Sequence, residues 1–268
     1  MTDLVRVWIV SVDVAPDTAA RCEDVLDENE RARAAAYLSP RERQRFTVAH
    51  GALRILVGRE LDTPPAALTW IPGRYGKPEL APPCGLQTSL SHSGNLVAAA
   101  ISADRPVGVD IQNLVPGLDT LGLSARFFPP DEAEYVAAGG DLGVRADRFA
   151  HLWVRKEALV KAAGGRLWPS LKIAVRGRDV VSCGDPASPH RVADVTVPTG
   201  FRAAVALTGA APFVVEAAGD DRLKQAAVEA ENVSGRVAER IGLDVVGGPV
   251  EGGARGAFQR GHPWIGDA

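Results

Sequence analysis

Apolar and polar positions alternate along this chain in two periods, and the switch between them divides it into elements. Residues 4–12 form a short β-like apolar run, so a first strand is expected there, and residues 19–37, rich in Ala, Arg and Glu, read as a helix ending before Ser39-Pro40. From Arg41 to Leu61, Phe46, Ala49, Leu53, Leu56, Val57 and Leu61 keep a helical period until Pro64-Pro65 stops it. Residues 70–80, WIPGRYGKPEL, are expected as an extended loop carrying Lys77. Leu86 to Ser102 reads as a strand, a polar turn at 91–95 and a buried strand.

Val107 to Gln112, VGVDIQ, alternates strictly. Val107, Val109 and Ile111 face one way, and Gly108, Asp110 and Gln112 the other. A short helix is expected over 130–138, then a longer one whose stripe contains Phe149, Leu152, Trp153, Val160 and Ala163 and ends at Gly164-Gly165. Short β-like segments follow at 171–176, 180–183, 192–197, 203–207 and 213–217. The order strand, helices, strands thus occurs twice. The expected fold class is α+β, with two similar, pseudo-duplicated subdomains over 1–105 and 106–217. Each is a small antiparallel sheet packed by a long helix, with the site in the cleft between them. Residues 218–243 read as an amphipathic helix with an association role, and 244–268 as a Gly-rich disordered tail.

Composition narrows the picture. A net charge of -3 argues against a protein that coats nucleic acid, and no apolar run reaches the roughly 18–20 residues of a membrane span. The 3 cysteines, Cys22, Cys84 and Cys183, are widely separated and form no CxxC pair. With no signal peptide read at the N-terminus, a reducing cytoplasm is the expected compartment, and the core is expected to be monomeric.

Two stretches break the apolar pattern with charge. Asp110 stands in the middle of an apolar strand, which is costly unless the carboxylate is paired or bound to a metal. In LWVRKEALVKAAGG, Lys156 falls inside the core stripe, while Trp153, Glu157 and Lys161 are successive i,i+4 neighbours on one side of the helix. Ser91 and His92 could hold a phosphate oxygen, and Arg41, Arg43, Arg45, Arg54 and Arg59 make the second helical segment locally basic. Two carboxylates and the neutral amide of Gln112 suit Mg²⁺, which prefers oxygen ligands; the Lys, His and Arg side chains suit a polyanion. The residues by themselves point to a Mg²⁺-dependent enzyme acting on a pyrophosphate-containing ligand.

Four motifs, GKP at 76–78, SLSHSG at 89–94, VGVDI at 107–111 and WVRKEALVK at 153–161, occur in an order and spacing that resembles the larger, Sfp-type 4′-phosphopantetheinyl transferases. The resemblance covers roughly residues 4–217. It implies transfer of the 4′-phosphopantetheine arm of coenzyme A to a serine of an apo acyl- or peptidyl-carrier protein, with release of adenosine 3′,5′-bisphosphate. In family terms Asp110, Gln112 and Glu157 would bind Mg²⁺, Lys161 would neutralise the bridging phosphates, and Glu157 would be the base. Ser91 and His92 would hold the phosphate on the adenosine side, with Lys77, Arg33 and Arg45 around the adenosine and its 3′-phosphate. Two departures stand out. Gln112 replaces the family's common Glu, and Glu30 aligns with a 3′-phosphate lysine. Alternatives left open are a Mg²⁺-dependent nucleotide or coenzyme A pyrophosphate hydrolase and a non-catalytic homologue that binds coenzyme A or carrier protein.

Overall fold

The computed structural model describes residues 3–73, 77–103, 105–165, 171–182 and 188–218. Gly76 of the GKP motif, Cys183, the 221–242 helix and the Gly-rich tail lie outside them. Strand β1 (Asp3–Ser11) leads into helices α1 (Pro16–Asp24), α2 (Glu28–Ala36) and α3 (Pro40–Glu60). The single helix expected over 19–37 is therefore two. Asp27 breaks it: its side chain accepts from the Glu30 N–H while the Glu30 side chain reaches back to the Asp27 N–H, so a capping box restarts the helix.

The expected 70–80 loop is a hairpin of β2 (Thr69–Pro72) and β3 (Pro78–Ala81). Next come β4 (Leu86–Ser93) and β5 (Leu96–Ala103). The expected polar turn shrinks to Gly94-Asn95, because Gly94 takes φ +57° and lets the ladder run on to the Ser93–Leu96 pair. Ser91 and His92 are thus strand residues. After β6 (Val107–Asn113) come α4 (Thr120–Phe127), α5 (Pro130–Ala137) and α6 (Leu142–Ala163), and then β7 (Val180–Ser182), β8 (Pro189–Val195), β9 (Phe201–Thr208) and β10 (Phe213–Ala218). The strand expected at 171–176 is turn and loop.

The α+β class holds. The strands make two four-stranded sheets, in the orders β10-β1-β5-β4 and β6-β9-β8-β7. The first sheet is mixed rather than antiparallel, since β10 pairs in parallel with β1, so this strand returns to the N-terminal half. The likeness of the two halves reaches to a four-stranded sheet with one long helix and stops at strand order.

The sheets face each other. Val5, Val7, Ala98 and Ala100 of the first share a buried cluster with Val107, Val109, Ile111, Ala203 and Val205 of the second. The opposite faces carry the helices: Val10, Val97, Ala99 and Ile101 pack with Val48, Ala52 and Leu56 of α3, and Val192, Ala204 and Ala206 with Leu152, Ala158 and Ala162 of α6. Central strands buried on both faces are why the sequence shows continuous apolar runs at 96–101 and 203–207. Among the described residues no helix is long and apolar enough to cross a membrane.

Candidate functional site

Strand β6 is an edge strand, paired only with β9, and an edge needs partners for its outward N–H groups. β4 of the facing sheet supplies them through side chains. Ser89 Oγ accepts from the Val109 N–H at 3.0 Å, and Ser93 Oγ accepts from the Asn113 N–H at 3.0 Å. Between them Ser91 Oγ donates to Asp110 Oδ1 at 2.7 Å. A serine at every second position of β4 therefore stitches the two sheets along one seam. That alternation is visible in the sequence at 89, 91 and 93.

On its other side β6 meets α6. A Cβ at Gly108 would sit 2.0 Å from the Ala158 carbonyl oxygen and 2.4 Å from the Ala162 nitrogen, so only glycine admits the helix this close. That approach brings the C-terminal turns of α6 to Asp110. Lys161 Nζ donates to Asp110 Oδ1 at 2.7 Å and to the Val109 carbonyl at 3.1 Å. Asp110 is 5% exposed. Glu157, one turn before Lys161, has its carboxyl pushed up to about 7, first by burial and then by the charge of Asp110, against the opposing pull of Lys161. Two carboxylates that resist joint ionisation in a buried place suit a divalent cation. Gln112, two residues along β6 from Asp110, donates from Nε2 to Asn113 Oδ1 at 3.3 Å. Among the described residues no three His, Cys, Asp or Glu side chains group to hold a metal.

Lys77 enters from the β2–β3 hairpin. Its ammonium donates to the Val107 carbonyl at 2.7 Å and to the Lys161 carbonyl at 3.2 Å, and burial lowers its pKa to about 8. Lys77, Ser91, Asp110, Glu157 and Lys161 thus meet at one junction of β4, β6 and α6. His92 lies on the opposite face of β4 from Ser91, with Leu90, which packs on the α3 core. Arg33 and Arg45 belong to the helical layer over the first sheet, where the Arg33 guanidinium lies 5.0 Å from the centre of the Phe46 ring.

Three residues noted in the sequence turn out to be framework. Arg54 is wholly buried, donating to Glu30, Asp27 and the carbonyls of Pro65 and Leu68, so it does not belong to the basic surface of α3. Glu30, aligned with a phosphate-binding lysine, instead bonds Arg54 and His50. Lys156, the charge inside the α6 stripe, pairs at 2.6 Å with Glu132 of α5, a residue that sequence reasoning missed; the excess of apolar neighbours around Lys156 was the available signal.

Comparison with known proteins gives the family. The model described as the 4′-phosphopantetheinyl transferase superfamily matches residues 106–184, a stretch that includes β6, α6 and β7. The Synechocystis sp. protein slr0495 is 37% identical over 164 residues, 59% of this chain and 64% of that protein, slightly under two thirds of its length. The 4′-phosphopantetheinyl transferase HetI of Nostoc sp. is 33% identical over 61% of this chain and 70% of its own. The 4′-phosphopantetheinyl transferase Sfp of Bacillus subtilis is 28% identical over 67% and 86%. With the matched stretch coinciding with the strand and helix that build the carboxylate pair, the chain belongs to the 4′-phosphopantetheinyl transferase superfamily.

Proposed function

We propose that this protein transfers the 4′-phosphopantetheine arm of coenzyme A to a serine of an apo acyl- or peptidyl-carrier protein. The observation that carries the reading is the meeting of Asp110, Glu157 and Lys161 at the β6–α6 contact, within the stretch that the family model matches. Asp110, Glu157 and the Gln112 amide would hold Mg²⁺, and a bound Mg²⁺ would neutralise charge on the pyrophosphate.

The chain's own groups account for the rest. The serine oxygen of the carrier forms a bond to the phosphorus that bears the pantetheine arm. The bond from that phosphorus to the bridging oxygen breaks, and adenosine 3′,5′-bisphosphate leaves with the electron pair. Glu157, the base in this reading, accepts the serine proton. Lys161, whose side chain is 24% exposed, stands at the wall of the site and neutralises the bridging phosphates. Ser91 steadies Asp110, while His92, Arg33 and Arg45 face the adenosine side and its phosphates. Residues 1–105 and 106–217 act as the two subdomains, in a protein of the cytoplasm.

Incubation with coenzyme A, Mg²⁺ and a panel of apo-carrier proteins, read by mass spectrometry, tests the proposal. The expected result is a carrier gaining one phosphopantetheine unit. Release of adenosine 3′,5′-bisphosphate with no modified carrier makes the protein a pyrophosphate hydrolase. Coenzyme A binding with neither product makes it a non-catalytic homologue.

A further inference from the structure

Lys77 comes from a hairpin distant in sequence from both β6 and α6, yet its ammonium touches both. One donor goes to Val107, the first residue of β6, and another to Lys161, in the last turn of α6. A cation at the end of a helix is favoured by the unpaired carbonyls gathered there. Between these two anchor points lies Gly108, where the strand and the helix touch with no room for a methyl group. Three residues beyond Val107 is Asp110, and the Lys161 backbone that Lys77 holds carries the ammonium bonded to Asp110. We infer that Lys77 is a positioning residue: its ammonium is a strut that locks the end of α6 to the start of β6 and so sets the spacing of Asp110, Glu157 and Lys161. The inference rests on the transferase reading for its kinetic consequence and departs from a role for this side chain on the adenosine.

The geometry explains why the strut is a long, flexible side chain ending in several donors. The two carbonyls belong to different elements, 2.7 Å and 3.2 Å from one nitrogen, and a flexible stem ending in a three-donor point charge reaches both from a third element. A misplacement of reacting groups by about 1 Å can cost about a hundredfold in rate, so a slackened contact lowers turnover rather than substrate binding.

The test compares Lys77→Met, which keeps the length and apolar stem without donors, with Lys77→Arg, which restores donors. The strut predicts that kcat of the Met variant falls about tenfold or more, that KM for coenzyme A stays within about twofold, and that Arg recovers most of the loss. A rise in KM for coenzyme A with unchanged kcat overturns it, since that pattern belongs to a ligand contact. Hydrogen exchange without substrate gives an independent reading: amides of 107–110 and 158–163 should exchange faster in the Met variant, and unchanged protection there overturns the strut. This second readout stands even if the wild-type protein modifies no carrier, which separates failure of the strut from failure of the transferase reading. Should Lys77→Met not fold, Lys77→Gln, with one donor group on a shorter stem, is read by the same two measurements.

Discussion

Helix α6 carries two lysine–carboxylate pairs, five residues apart, and they are built to opposite ends. Lys156 is 1% exposed and Glu132 not at all. The Lys156 ammonium also donates to the Ile173 carbonyl and lies 4.9 Å from the centre of the Phe128 ring, while Glu132 Oε1 accepts the N–H groups of Val175 and Arg176 at 2.6 and 2.8 Å. Burial lowers the Lys156 pKa, and Glu132 opposes that shift. Charge is balanced there, and every partner is protein. At Lys161 the pair stays open: the ammonium faces both Asp110 and Glu157, its side chain is 24% exposed, and burial, then the charge of Asp110, raise the Glu157 carboxyl. The same kind of ion pair is framework where it is closed and a site where two carboxylates share an ammonium that solvent reaches.

The sharpest way to break this contrast is to remove one carboxylate from each pair. Glu132→Ala leaves a buried ammonium with no counter-charge and should cost about 3–5 kcal/mol of stability, read by urea unfolding. Asp110→Ala should leave stability within about 1 kcal/mol, because Lys161 keeps its bond to the Val109 carbonyl and contact with water. Its transfer activity should nevertheless fall about 10²–10³-fold. Equal destabilisation by the two substitutions would end the distinction between a closed and an open pair.

Part of this contrast was legible in the sequence. Strict alternation at 107–112 put Asp110 on the side of Gly108 and Gln112, and i,i+4 spacing put Glu157 and Lys161 together, because both are local periods that the backbone enforces. What joins strand to helix was not local. The Ser89 and Ser93 bonds to β6, the Lys77 strut and the Glu132 partner of Lys156 each link residues about 20 or more apart, which no period reports. The parallel β1–β10 pair, decided by where β10 finds an open edge, lay outside reach for the same reason. The helix break at Asp27 is the exception: its capping box is a local sequence pattern, D-E-N-E, but the Ala-rich composition of 19–37 overrode it.

The open pair should also show itself through pH. A carboxyl raised from its ordinary 4.5 to about 7 binds its proton more tightly in the folded chain than in the unfolded one. Its contribution to stability is therefore fully present below about 4.5 and is lost as pH rises through 7. Glu157→Gln removes this slope, so the melting temperature of the variant relative to the metal-free wild type should climb across that window and level off above it. Asp194, held down to about 2 beside Arg155 and His151, works in the opposite sense, and its stabilisation is lost only in strong acid. The two windows do not overlap, so a flat difference curve between 4.5 and 7 would overturn the raised Glu157 carboxyl.

Gln112→Glu is the mildest change and bears most directly on what the paired carboxylates are for. In the metal-free protein a third carboxylate on the Asp110 face of β6 should raise Glu157 further, since like charges in a buried place favour the protonated form. With Mg²⁺ available the added charge acts on the metal instead, and the Mg²⁺ concentration for half-maximal activity should drop about 3–10-fold, the size of about 1 kcal/mol of extra binding. These two outcomes have one cause and must appear together. A variant with raised Glu157 and unchanged Mg²⁺ requirement would mean that position 112 feels the charge of the site without touching its ligand. In that case Asp110 and Glu157 carry the metal as a pair, and the glutamine is no loss to it.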